Sequence, residues 1–347
     1  MIRKVRFNNF YSFNGEQEIS FLANKKETYD YFQSANSDQI TKIAGFIGGN
    51  ASGKTNVMRF FSFLAYFVCR NVNDKTPFLS EFVYKTFFNK SEPSKFYIEF
   101  ERDGALYFYN FSIQRDKILD ETLSFKKLQK RARIKEVFSR HLNTINHLEN
   151  DVFKNITIES LPKIRDDISF ITFMKRSAYS VDIINSIYDY FSHFQTNIDE
   201  KGETYNLYHQ FVTIDDYSSD EDLKKITDNF LHDFDIGLER FEVEKTTRGN
   251  KRRVDIKGIH ITDSGEKALP FDYESNGTRS LFYAIMRIEK ALKNNSIAVL
   301  DELEFGMHPE ALSKILSYFI SENKEGRAQL IFSSHSFDFL NRFDMHQ

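Results

Sequence analysis

Tryptophan is absent from this chain, cysteine occurs once and proline only five times. A single thiol, Cys69, cannot close an internal disulfide, and its place in an apolar run points to packing in a reducing compartment. Five prolines in 347 residues leave no proline-rich tract, and no internal repeat or long low-complexity segment takes its place. The longest apolar run, residues 60–69, spans ten positions and includes Ser62, too short to cross a bilayer. The opening "MIRKVRFNNF" is charged and strand-like, unlike a secretory signal. Charge is balanced: 47 Lys and Arg against 50 Asp and Glu give −3, which argues against a wholly basic nucleic-acid coat while leaving room for a local patch. No HxxE metal motif, no nuclease-like Cys/His cluster and no sustained heptads occur. Together these absences lead us to expect a soluble, cytoplasmic, globular chain with no membrane contact. Its aromatic packing falls mostly to 37 phenylalanines.

Against that background the stretch "GFIGGNASGKTN", residues 45–56, concentrates four glycines ahead of one cation. Gly48, Gly53, Lys54 and Thr55 fit GxxxxGK[ST], the phosphate-binding loop. In such a loop the backbone N–H groups from Gly48 through Gly49, Asn50, Ala51, Ser52 and Gly53 to Asn56 can curl round phosphates. Lys54 reaches the terminal ones, and the Thr55 hydroxyl ligates Mg²⁺. "KIAGFIG" before it reads as a buried strand. The following "GKTNVMRFFSFLAYFV" carries Val57, Phe60, Phe61, Leu64, Phe67 and Val68 at helical spacing.

Three later stretches belong with the loop. In "NNSIAVLDELEFGMHPEAL" a short apolar strand delivers Asp301 and Glu302 to its C-terminal end, where open α/β sheets bind ligands. Asp301 there can help hold Mg²⁺, and Glu302 can act as general base on an attacking water. "RAQLIFSSHSFDFLN" is another apolar strand, ending in small polar residues and His335. In "FDYESNGTRSLFYAIMRIEKAL", Ser275 and Gly277 precede an amphipathic helix whose exposed N–H groups favour anions.

The remaining chain reads as alternating layers. "IRKVRF" and "EISFL" are strands, and 95–125 alternates around "RDG" and "RDK" turns as a meander of three antiparallel strands. From 126 to 235 the pattern turns helical, first the basic "KKLQKRARIKEVFSRHLNTINHLEN", then "AYSVDIINSIYDYFSHFQ" with Val181, Ile184, Ile187, Tyr188 and Phe191 on one face. "LERFEVEKTTRGNKRRVDIKGIHI" returns to strands, and from 270 helix and strand alternate as in a parallel α/β layer. The expectation is an N-terminal lobe over 1–125, a helical insertion over 126–235 and a C-terminal lobe over 236–347.

Phosphate loop, long insertion, Ser-x-Gly before a helix, strand with Asp-Glu, then strand with His is the order of an ABC-type ATPase head. The chain resembles the branch containing SMC and RecF proteins and the OLD-like nucleases, most closely the small bacterial ATPases of phage-defence and abortive-infection operons. The segments "IRKVRFNNFYSF", "GGNASGKTN", "SEPSKFYIEFERDGALYFYNFSI", "ESNGTRSLFYAI" and "LDELEFGMHPEAL" carry the likeness, which covers both ends and part of the middle. It implies an α/β fold with a P-loop parallel or mixed sheet, an antiparallel β subdomain and a helical insertion, with ATP and Mg²⁺ as cofactors. By the same resemblance Gly48, Asn50, Gly53, Lys54 and Thr55 cradle ATP and Mg²⁺, Asp301 is the Walker B acid, Glu302 the catalytic base and His335 the switch histidine. Ser275 and Gly277 become the signature pair that meets ATP held by the opposite protomer, and "FGMH", 305–308, the dimer-bridging D-loop. The chain stops twelve residues after His335, where members of that branch usually add at least one more strand.

The resemblance leaves three functions open: a defence ATPase controlling a separate effector, a RecF- or SMC-like DNA-maintenance ATPase, and a transporter subunit, the last disfavoured by the SMC-like loop and the weak "ESNGT" signature. Two basic clusters bear on partners. Lys126, Lys127, Lys130, Arg131, Arg133, Lys135 and Arg140 fall within 126–140, and Lys245, Arg248, Lys251, Arg252 and Arg253 crowd a hairpin tip at 245–253. Each is either a solvated surface or a seat for nucleic-acid phosphate or an acidic partner.

Overall fold

The computed structural model of the chain describes residues 1–23, 31–69, 84–115, 117–198, 207–234, 237–248 and 251–335. Chain order begins with β1 (Ile2–Phe7), β2 (Gln17–Ser20), a short hairpin of β3 (Tyr31–Gln33) and β4 (Gln39–Thr41), β5 (Ile43–Ile47) and helix α1 (Lys54–Cys69). Five long strands follow: β6 (Ser94–Arg102), β7 (Ala105–Gln114), β8 (Lys117–Lys127), β9 (Lys135–His141) and β10 (Thr144–Leu148). Next come α2 (Phe170–Arg176), α3 (Asp182–Ser192), the two-residue β11 (Gln195–Thr196), α4 (Leu207–Ser219) and α5 (Glu221–His232). The last third holds β12 (Leu238–Arg248), β13 (Lys251–Thr262), β14 (Gly265–Pro270), α6 (Asn276–Lys293), β15 (Ile297–Leu300), α7 (Pro309–Glu322) and β16 (Gln329–Ser334).

Among the described residues β12-β13-β14 and β3-β4 form two small sheets, and two larger ones organise the rest. One is antiparallel with seven strands in the order β10-β9-β8-β7-β6-β1-β2, and the other is parallel with four in the order β11-β15-β16-β5. The expected meander is present as β6, β7 and β8. The stretch from 126 was expected to be helical, and here the structure differs: residues 135–141 and 144–148 are strands that extend the same sheet. The basic run suggested a helix face, but Val137, Phe138 and Arg140 are buried against the sheet and its covering helices, and that burial outweighs helix propensity. Helices begin in earnest only at Phe170, and α3 buries Ile184, Ile187 and Phe191 as its spacing predicts.

The parallel sheet shows period-two division of labour. Ile297, Val299 and Ile331 point into one core, shared with α1 and the antiparallel sheet, while Ala298, Leu300, Leu330 and Phe332 point into a second core with α6 and α7. Phenylalanine fills the first: Phe60 of α1 stacks on Phe7 at 4.4 Å, and Phe67 on Phe111 at 3.9 Å. Helix α1 is therefore gripped from both sides, and its N-terminus is set at the C-terminal edge of the parallel sheet.

Candidate functional site

Strands β5, β15 and β16 run parallel, so the loops that follow them open at one edge. The first of these carries Gly48, Gly49, Asn50, Ala51, Ser52 and Gly53 into α1. Ala51 and Gly53 have φ of 62° and 96°, the left-handed region that turns successive N–H groups toward one side. A Cβ at Gly53 would also press on the Phe13 ring at 3.0 Å. Lys54, buried at the start of α1, folds its ammonium back over the loop and donates to the carbonyls of Gly48 at 2.7 Å and Gly49 at 2.9 Å. Asn56 Nδ2 donates to Ser12 Oγ at 2.8 Å, tying the loop to the N-terminal segment.

Beside this cradle the Thr55 hydroxyl donates to Asp301 Oδ2 at 2.9 Å. Two oxygens at that spacing match neighbouring corners of an octahedron with metal–oxygen bonds of about 2.0–2.1 Å, so the pair fits Mg²⁺. Among the described residues no group of three or more His, Cys, Asp or Glu side chains could hold a metal ion, so a cation at Thr55 and Asp301 needs phosphate and water oxygens as well. Glu302 follows with φ of 48°, a conformation non-glycine residues rarely adopt, and strained positions of this kind cluster at functional sites. Its Oε1 lies 3.4 Å from His335 Nε2, while His335 Nδ1 lies 3.4 Å from Lys54 Nζ. Thus Lys54, Thr55, Asp301, Glu302 and His335, drawn from three separated stretches, meet at one edge.

Ser275 and Gly277 are placed differently. Ser275 caps α6, its Oγ accepting from Thr278 N at 3.0 Å. A Cβ on Gly277 would approach the Gly306 carbonyl oxygen to 2.7 Å, so only glycine permits this contact between the start of α6 and the 305–308 loop. Among the described residues no hydrogen bond joins Ser275 or Gly277 to the phosphate loop of the same chain.

Several supporting residues escaped the sequence reading. Asn197 hydrogen-bonds the backbone of Asp301, Ser333 Oγ donates to the Asp301 carboxylate, and the His335 N–H donates to Glu304 Oε1 at 2.5 Å. Glu304 and Ser333 lie inside stretches already singled out, "LDELEF" and "FSSH", whereas Asn197 stands far from any motif. Asn197, Arg287, Asp301 and Glu302 line a cavity of about 30 Å³, which has room for about one water.

The same elements carry a family likeness. Residues 43–341 match the family described as "AAA domain, putative AbiEii toxin, Type IV TA system", from the strand before the loop to beyond His335. The chain belongs to this AAA-domain family. Membership implies ATP as the bound nucleotide. No curated protein matches the chain. Among solved structures it is similar to the "SMC head domain from Thermotoga maritima", with 12% identity over 99% of this chain and 92% of that one and a TM-score of 0.42. It is also similar to an SmcHead bound to the C-winged helix domain of ScpA, with 12% identity, the same coverage and a TM-score of 0.47. A third is the recombination mediator RecF with ATP, with 10% identity over 97% and 92% of the two chains and a TM-score of 0.37. Assignment to the family rests on the match over 43–341 and not on these likenesses.

The basic clusters are smaller than the sequence suggests. Arg140 is buried and Lys135 pairs with Asp151 at 2.8 Å, which removes both from the surface charge of 126–140. Lys126, Lys127, Lys130, Arg131 and Arg133 have no ion-pair partner among the described residues, and all but the half-buried Lys126 are exposed. In the second cluster Lys245 pairs with Asp215 at 2.6 Å. The side chains of 246–253 lie outside the described residues. No described helix is long and apolar enough to cross a membrane.

Proposed function

We propose that the chain hydrolyses ATP in sites shared between two copies of itself, and that this step holds and releases a separate effector in a cytoplasmic bacterial defence system. The meeting of Thr55, Asp301 and Glu302 beside the Lys54 cradle supports hydrolysis. Lys54 exchanges its two backbone carbonyls for the terminal phosphates of ATP. Thr55 and Asp301 would hold Mg²⁺, which would supply neutralisation of phosphate charge. Glu302 takes the proton from the attacking water, and His335, within 3.4 Å of Glu302, orients that carboxylate. The family description, with its putative toxin and type IV system, supports the defence role. The test is a pair of variants. Lys54→Ala is expected to weaken nucleotide binding and abolish turnover, and Glu302→Gln to keep ATP bound while slowing turnover by about 10² or more. Wild-type turnover in Glu302→Gln overturns the assignment of the base.

With no hydrogen bond from Ser275 or Gly277 to their own phosphate loop among the described residues, we read them as serving a partner's ATP in an isologous dimer. Mixing Lys54→Ala with Ser275→Arg chains is expected to restore part of the activity each lacks, because one of the two sites in the mixed dimer is intact. Mixed dimers as inactive as either parent sink the shared site. A RecF- or SMC-like action on DNA is the second reading, favoured by the exposed cations of 127–133.

A further inference from the structure

Strand β15 has full-length β16 on one side and only the two-residue β11 on the other. On that second side the pairing ends with Thr196 opposite Val299, two residues before Asp301. The peptide groups of Asp301 therefore reach the sheet edge with no strand neighbour, and a buried N–H and C=O need partners. Asn197 supplies both: its Nδ2 donates to the Asp301 carbonyl at 2.9 Å, and its Oδ1 accepts from the Asp301 N–H at 2.8 Å. A carboxamide presents one donor and one acceptor side by side, so a single side chain takes the place of a missing strand residue. From the β16 side Ser333 Oγ donates to the Asp301 carboxylate and accepts from the Glu302 N–H at 2.9 Å. Asp301 is thereby held at its N–H, its carbonyl and its carboxylate, immediately before the left-handed Glu302.

Asn197 is itself held between two helices of the site. Thr196 Oγ1 bonds to Ser62 Oγ of α1 at 2.7 Å, and the Thr196 carbonyl accepts from Arg287 Nε of α6 at 3.0 Å. The phosphate-loop helix and the signature helix thus meet at the residue next to Asn197. We propose that Asn197 is a positioning residue for the acidic pair: its carboxamide fixes the Asp301 peptide, which sets the direction of the Glu302 side chain. This rests on the reading of Glu302 as the base of an ATPase.

The experiment uses the full chain with Asn197→Leu, of similar shape but without polar atoms, and Asn197→Asp, which keeps the acceptor and loses the donor. Amide exchange at Asp301, measured without nucleotide, is expected to speed up about tenfold or more in Asn197→Leu and to stay close to wild type in Asn197→Asp. Turnover of ATP in Asn197→Leu should fall about ten- to a hundredfold while its affinity for ATP changes less than about threefold. Unchanged exchange at Asp301 in Asn197→Leu overturns the clamp, and equal losses of turnover and affinity overturn the positioning role. If Asn197→Leu does not fold, Asn197→Asp decides: exchange at Asp301 as fast as in an unstructured chain rejects the clamp. A wild-type chain with no turnover defeats the ATPase reading instead, and the exchange measurement still decides the clamp.

Discussion

The two sheets each carry buried charge, and they treat it in opposite ways. In the antiparallel sheet Arg140 and Glu121, both fully buried, form an ion pair with Nε donating to Oε2 at 2.6 Å. Every remaining group has a partner: the guanidinium also donates to the carbonyls of Leu142, Arg165 and Ile168, and Glu121 accepts from the Tyr109 hydroxyl and the Phe170 N–H. Burial and the Glu121 carboxylate push the Tyr109 phenol well above its ordinary value, so it stays a donor. At the parallel sheet's edge Lys54 rests on two carbonyls of its own loop, Glu304 Oε2 is buried without a partner, and Glu302 holds a left-handed backbone. A closed network fixes architecture by leaving nothing for a ligand to bond. An open one keeps its bonding capacity for a molecule that arrives later.

The largest test of this contrast is on stability. Removing one partner of the closed pair, Arg140→Met, leaves a buried carboxylate uncompensated and is expected to cost about 3–5 kcal/mol in urea unfolding. The double variant Arg140→Met/Glu121→Leu should recover much of that loss. Glu302→Gly, at the open site, should run the other way, losing turnover while keeping or gaining up to about 1 kcal/mol as the left-handed strain is relieved. A destabilisation by Glu302→Gly as large as that of Arg140→Met would erase the distinction.

A smaller effect concerns the hairpin tip beyond the same antiparallel sheet. Reversing Lys130, Arg131 and Arg133 together should lower any nucleic-acid affinity and flatten its salt dependence by about one counterion for each phosphate the tip no longer neutralises. An unchanged slope moves the binding surface elsewhere, and no binding at low salt favours a protein partner for the tip.

The smallest concerns Glu289 of α6. Burial raises its carboxyl above the ordinary value, and its Oε1 has no hydrogen-bond partner. The stability tied to its protonated form is complete below the unfolded value of 4.5 and is lost as pH rises through the folded one. Glu289→Gln should therefore melt with wild type near pH 4 and above it at pH 8, by about 1 kcal/mol. Equal melting at both pH values argues that this carboxylate stays solvated.

What could be read in the sequence follows from how locally each feature is determined. The phosphate loop declares itself because conformation, cation and hydroxyl lie within eight consecutive residues, Gly48 to Thr55. Asp301 and Glu302 are legible because a short apolar run ends on them, and Ser275 because it caps an amphipathic helix. Strands β9 and β10 were missed because Arg140 looks like surface charge until Glu121, nineteen positions away, is known to face it. Asn197 gives no local signal, since its role exists only once β11 lies beside β15 across a separation of 104 residues from Asp301.

Cys69 has a practical consequence. Its Sγ donates to the Tyr188 carbonyl at 3.4 Å, and burial pushes the thiol far above its ordinary value, so it supplies almost no thiolate to a labelling reagent at neutral pH. The chain also contains no tryptophan. A cysteine introduced at exposed Tyr273, just before α6, would therefore take a spin label or dye with little background, and a tryptophan placed there would be the only indole emitter. Such a probe would report on whatever approaches the start of α6 in the otherwise unaltered protein.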